Sequence, residues 1–281
     1  MIIRAGYAIA FECAAVTPMI LHLNIHPSRA GDLISPDVVR TDPHYPTNAY
    51  LDLFGNRVTR VEAQPGVVTF HNDFTISDSG SPDETPEDAP LTAVAKLPSE
   101  VLVYLLASRY CDSDNLSDFA WSQFGGIGGG AKLVQAICDF VHGRIRFDYA
   151  TANPRRTASD GFRDGIGVCR DFAHLAVTLC RCLNIPARYI NGHLGDIGVP
   201  VVDPMDFSAW IEVYLAGSWW TFDPRNNMPR IGRIVVARGR DAADIPLINS
   251  FGPHVLKSFR VWTYEVFDEQ ASAPNFAQRG R

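Results

Sequence analysis

The feature of this sequence richest in chemistry is a cysteine at the mouth of an amphipathic helix. In DGIGVCRDFAHLAVTLCRCLNIP, residues 164–186, Gly165 and Gly167 break whatever precedes. Phe172, Ala176, Leu179, Cys180 and Leu183 then recur at helical spacing until Asn184 and Pro186 stop the run. Cys169 therefore opens the helix. Unpaired backbone N–H groups and the positive end of the helix dipole favour a thiolate there, and Arg170 adds positive charge beside it. Cys169 reads as a nucleophile with an apparent pKa below the free value of about 8.5. An arbitrary cysteine is more often a small buried hydrophobe; the placement is what argues for chemistry.

After the helix the periodicity changes from 3.6 to 2, and residues 187–194, 208–215 and 218–223 read as consecutive antiparallel strands. Only Ala216 and Gly217 separate the last two, so a two-residue hairpin pairs Leu215 with Ser218. That register sets Trp210 opposite Asp223 and Ser208 opposite Arg225. Ser208, Trp210, Thr221 and Asp223 then share one face, with Ser208 and Asp223 as diagonal neighbours about 7 to 8 Å apart. Ala209, Ile211, Val213, Leu215, Trp220 and Phe222 share the other, which is apolar.

The rest of the chain frames this unit. At 281 residues and 46% hydrophobic the chain exceeds a typical single domain and can bury a sizeable core. Residues 1–75 read as strands, with a turn at Gly55-Asn56. His22, Asn24 and His26 alternate along one of them. Two histidines four apart on a strand lie about 13 Å from each other, too far for one metal ion, so they read as a solvated face. Residues 78–90, DSGSPDETPEDAP, are acidic and rich in Pro, Ser and Gly, as a linker is. A boundary there divides an N-terminal β-rich domain with its acidic linker, 1–90, from a core domain, 91–281. Helical stretches follow over 99–110 and 131–143. The second is entered through GGIGGG, but Lys132 is followed by Leu133 rather than Ser or Thr, which speaks against a phosphate loop.

Lys plus Arg number 25 against 31 Asp plus Glu, a net charge of −6 with no basic block, so neither nucleic acid nor an anionic membrane is an expected partner. The six cysteines show neither metal-like pairs nor a disulfide framework. No segment is apolar for long enough to span a bilayer. A soluble, reduced, cytoplasmic protein without metal, nucleotide or redox cofactor is the expectation.

The motifs GVCRDFAHL, IPARYINGHL, AWIEVYL and WWTFDPRNN together resemble the transglutaminase-like superfamily. RIVVARGRDAADIP and the N-terminal β region look like its bacterial branch, whose members are described as cysteine proteases. The resemblance implies an α+β, papain-like fold, with a cysteine-led helix packed on an antiparallel sheet and a small N-terminal β-domain. It also implies acyl chemistry on peptide or protein amide bonds, hydrolysis ahead of cross-linking. Carried over by position, Cys169 matches the nucleophile and Asp223 the acid that orients a histidine. The histidine itself is replaced by Ser208.

A hydroxyl is no useful proton acceptor near neutral pH and cannot carry an imidazolium's charge beside a thiolate. Three readings follow. His193 takes over as base, if the antiparallel return of the strand places it beside Ser208; a one-residue slip would turn it away. Alternatively the fold persists as a catalytically inactive binding module, with Trp210, Trp219 and Asp223 lining a groove for a peptide or small amide. Or the serine is an engineered replacement. His174, about 140° around the helix from Cys169, reads as structural.

Overall fold

The computed structural model describes residues 1–266. Strands come first: β1 (Ile2–Cys13), β2 (Thr17–Leu21), β3 (Arg40–Asp42), β4 (Thr47–Leu51), β5 (Arg57–Ala63) and β6 (Gly66–Ser77). A helical section follows, with α1 (Ser117–Phe124), α2 (Gly130–Arg144), the short strand β7 (Arg146–Phe147), α3 (Ala158–Asp164), the short strand β8 (Ile166–Gly167) and α4 (Cys169–Cys182). Then come β9 (Ala187–Leu194), β10 (Phe207–Leu215), β11 (Ser218–Phe222), β12 (Arg233–Gly239), β13 (Ile248–Ser250) and β14 (His254–Val266). The architecture is the expected α+β one, a helix lying on an antiparallel sheet.

That sheet runs β11-β10-β9-β12. α4 buries nearly every residue after its first turn, and Leu175, Ala176, Leu179 and Cys180 join Ala187 and Tyr189 of β9 and Ala209, Ile211, Val213 and Leu215 of β10 in one apolar cluster. The apolar face of the hairpin thus receives the helix. β10 is buried along its whole length.

Two further four-stranded sheets are made from both ends of the chain: β14-β1-β6-β3 and β13-β2-β5-β4. β14 pairs with β1 from His254↔Cys13 to Val266↔Ile2, so the last described strand closes the first. The acidic stretch is fastened rather than loose. Asp83 N donates to Arg230 O at 2.8 Å, and Pro82 bridges Ile231.

Several local expectations are revised. Residues 99–105 form a 3-10 helix rather than a longer α-helix, and α1 and α3 are too short for periodicity to reveal. α3 nonetheless carries a legible start signal, a capping box in which Thr157 and Asp160 satisfy each other's backbone N–H groups. The strand carrying Met19 ends at Leu21, and His22 and Asn24 are buried rather than solvated. His22 Nδ1 lies 3.0 Å from Pro246 O, while Asn24 bonds Asp37 and Thr59. The glycine run lets the backbone close on residues 89–91, with Ala131 N donating to Ala89 O at 3.0 Å.

Candidate functional site

The start of α4 is clamped by its own third residue. Asp171 Oδ2 accepts the Val168 N–H at 2.9 Å and lies 3.3 Å from Arg156 Nη1. Gly167 is required by this clamp, because a Cβ there would come within 2.6 Å of Asp171 Oδ2. Cys169 is held at the free end of the helix and is partly exposed, whereas the other five cysteines are buried. The backbone N–H groups of Ala209 and Arg170 are directed at its sulfur.

The thiol is nevertheless pushed up to about 11, against the expectation of a lowered value. Burial is the main cause, Arg225 and the two N–H groups pull the other way, and Asp206 adds to the rise. Desolvation outweighs the helix end. Arg170 does not supply the positive charge expected of it: its Nη2 donates to Asn153 O and reaches Asp171 Oδ1 at 3.3 Å, and its guanidinium lies 5.4 Å over the Tyr110 ring. The cation that acts on the sulfur is Arg225.

The hairpin register is the expected one, from Leu215↔Ser218 to Ile211↔Phe222. Ala216 and Gly217 both have positive φ, as a type I′ turn needs. One step beyond the last pair, Asp223 falls across from Trp210, on the face of Ser208. Asp223 is buried and fully engaged. It accepts from Arg225 N at 3.0 Å, Asn226 N at 2.9 Å, Asn226 Nδ2 at 2.7 Å and Arg233 Nη2 at 2.9 Å. Four donors use the full acceptor capacity of a carboxylate. Arg233 also pairs with Asp83 and lies 4.9 Å over the Trp210 ring. Ser208 Oγ is buried with no hydrogen-bond partner among the described residues.

His193 is not brought to Ser208. β9 pairs with β10 as Phe207↔His193 and Ser208↔Gly192, so His193 shares the face of Phe207. Its ring lies 4.7 Å from that of Phe207 and 5.8 Å from that of Phe74, and Nδ1 is 3.2 Å from Thr263 Oγ1. Burial lowers its pKa to about 3. Position 192 has to be glycine here, since a Cβ would meet Ile234 O at 2.2 Å. His174 is buried inside the core, accepting the Ala242 N–H at 3.1 Å and stacking on Tyr110.

Sequence reasoning missed Arg225, Asp206, Arg233 and Asp83. The hairpin register already placed Arg225 opposite Ser208, which was a usable signal for it. Asp206 precedes β10 in a stretch without periodicity, and Asp83 lies in what reads as a linker. Asp223 also borders a cleft of about 420 Å³ between residues 83–87, α2 and the end of β11, lined by Pro86, Cys138, Phe222 and Met228. Cys169 is not among its lining residues.

Residues 120–224, from α1 to the residue after Asp223, match the family model of the transglutaminase-like superfamily. This stretch is thus a transglutaminase-like core. The whole described architecture is similar to that of a Cytophaga hutchinsonii protein described as a "putative cysteine protease", with a TM-score of 0.83 and 27% identity over 94% of this chain and 90% of that one. The chain also resembles uncharacterized mycobacterial proteins. Identity is 30% over 118 residues with one from Mycobacterium leprae, covering 41% of this chain and 42% of that protein. With one from Mycobacterium tuberculosis it is 34% over 128 residues, covering 41% and 40%. The chain thus spans about two fifths of the length of these curated relatives. The range that matches the family model contains Cys169, Ser208 and Asp223.

Proposed function

We propose that the transglutaminase-like core is a slow cysteine hydrolase acting on amide bonds of a peptide or protein. Cys169 is the nucleophile, and the Arg170 and Ala209 N–H groups hold developing negative charge. The observation that carries this reading is the placement of Cys169: a partly exposed sulfur at a helix N-terminus, with two backbone N–H groups directed at it and Arg225 acting on it. Hydrolysis is preferred to cross-linking because of the likeness to the Cytophaga protein and its description as a protease. The absence of a histidine at 208 costs about 10² to 10⁴ in rate, the usual value of general acid–base catalysis. A second reading, a peptide-binding relic, draws on the saturation of Asp223 and on the apolar cleft beside it.

The test compares release of a fluorogenic amine from peptide amides by the unaltered chain, Cys169→Ala, Ser208→His, and Ser208→His combined with Arg233→Gln. Cys169→Ala should abolish release. Ser208→His alone should gain little, because Arg233 holds the Asp223 oxygen an imidazole needs; the double change should gain up to about 10² to 10⁴. Full activity in Cys169→Ala would overturn the reading, and inactivity of all four with retained peptide binding would favour the relic.

A further inference from the structure

The arginines around the nucleophile differ in what their donors meet. Arg170 donates to Asn153 O and pairs with Asp171, and Arg233 pairs with Asp83 and Asp223. Arg225 is left open. Among the described residues its guanidinium makes no hydrogen bond and no ion pair, and its contact is the Phe147 ring, 4.0 Å below it. The rest of the residue is fixed. Its N–H donates to Asp223 Oδ1 at 3.0 Å, and its carbonyl O lies 2.8 Å from His142 Nδ1 in the last turn of α2. Phe147 ties the guanidinium to the mouth of α4. β7 and β8 run parallel with Phe147 against Gly167, and Asp148 N donates to Gly167 O at 2.9 Å. Phe147 therefore stands one strand spacing, about 5 Å, from the residue two before Cys169. Its ring centroid is also 6.5 Å from that of Phe172, on the first turn of α4, and the Tyr149 ring packs edge-on at 4.8 Å. Phe147 and Arg225 are half-buried and Tyr149 is exposed, so this platform opens to solvent beside a partly exposed sulfur.

We propose that Arg225, held on Phe147, binds a carboxylate of the substrate, so that the site acts on amides of peptides carrying that group near the cleaved bond. This rests on the cysteine-hydrolase reading above and gives it a substrate class. A guanidinium presents a rigid fork of N–H donors that matches the two oxygens of a carboxylate. Stacking uses the flat face of the guanidinium and leaves its N–H edge for an acceptor. The ring also holds the side chain in place beforehand, so less freedom is lost when the carboxylate arrives. A single cation suits a single negative charge. A phosphate dianion would bring twice the charge to a neighbourhood that already holds Asp206, whose carboxyl feels the same guanidinium. The carboxylate itself has two sources, an acidic side chain or the end of the peptide.

The experiment uses the full chain and two reagents that differ in one group. Iodoacetate and iodoacetamide both alkylate the Cys169 thiolate with loss of iodide, but only iodoacetate carries a carboxylate. The ratio of their rates on Cys169 at one pH, read by peptide mass mapping, cancels the acidity of the thiol. Relative to the same ratio on N-acetylcysteine it should favour iodoacetate. In Arg225→Gln it should fall about 10- to 100-fold, the usual value of a hydrogen bond to a charged group. Arg225→Lys should recover part of the preference, and Phe147→Leu should lose part of it. Iodoacetamide labelling that stays selective for Cys169 shows that each variant is folded. Matched hexapeptides then separate the two sources: one set is amidated at its end and carries Glu at each position in turn, and another has Gln throughout and a free C-terminus. Faster cleavage of the first set assigns an acidic side chain, of the second the chain end, and either preference should vanish in Arg225→Gln. An iodoacetate ratio no higher than that of N-acetylcysteine, or equal in the unaltered chain and Arg225→Gln, would overturn the role of Arg225 whether or not peptides are cleaved. Amide cleavage undiminished in Cys169→Ala, with the iodoacetate preference of the unaltered chain intact, would remove the hydrolase reading and leave the carboxylate site standing.

Discussion

Cys169 shows how two opposing effects on one side chain are decided by magnitude. A helix N-terminus stabilises a thiolate by a modest amount, whereas taking a charge out of water costs several times more. The outcome is a thiol at about 11 that is still the best exposed of the six. Iodoacetamide should therefore label Cys169 ahead of the others because of access, and its rate should climb through pH 10 to a midpoint near 11 rather than level off below 8. A plateau at neutral pH, read by peptide mass mapping, would show that the thiolate is better stabilised than burial permits. Asp223 carries the complementary lesson: a carboxylate already given four donors has nothing left with which to orient an imidazole.

At the scale of elements, the β10–β11 hairpin sets which side chains see the core and which see the site. Trp220 packs against the apolar cluster and donates from Nε1 to Leu215 O at 3.2 Å, while Thr221 lines the rim of the cleft. Trp220→Asp loses a large apolar contact and leaves a charge against the core, so urea unfolding should show a loss of about 3 to 5 kcal/mol or complete unfolding. Thr221→Asp should cost about 1 kcal/mol or less. Similar losses from the two would mean that the faces are exchanged. α4 depends in the same way on one clamp. Asp171→Ala removes the acceptor of the Val168 N–H and leaves Arg156 without its most deeply buried partner, a loss in the range of about 1 to 3 kcal/mol.

For the molecule as a whole, three buried histidines sit where separate parts of the chain meet. His22 joins residues 17–26 to Pro246, His174 joins α4 to Ala242, and His193 lies between Phe74 and Thr263. Burial lowers all three, His193 to about 3. A histidine whose folded pKa is depressed binds its proton first in the unfolded chain. Its contribution is therefore present above about 6.5 and is lost as pH falls from there towards the folded value. For each one kept neutral the loss by pH 5 is about 2 kcal/mol. Asp37, raised by burial, acts in the opposite sense in the window just above its ordinary 3.8. Urea midpoints should fall steadily from pH 7.5 to pH 5, and His193→Gln should flatten part of that slope. A midpoint independent of pH over this range would contradict the burial of these rings.

The helix onset at Cys169, its end ahead of Pro186 and the pairing of Leu215 with Ser218 could all be read from the sequence, because each is settled within a few residues: a two-residue turn leaves only one register. The face of His193 could not. The loop between β9 and β10 is long, and its length does not fix whether 193 or 192 meets Ser208; that was decided when His193 found Phe74, Phe207 and Thr263. The partner of Asp223 was equally hidden. Arg233 reaches it from another strand while also holding Asp83, 150 residues away in the chain, and no local pattern encodes such a pairing. The thiol of Cys169 belongs to the same class. Its position is local, but its acidity is set by how much of the folded chain stands between the sulfur and water, and burial exists only once the distant strands have packed.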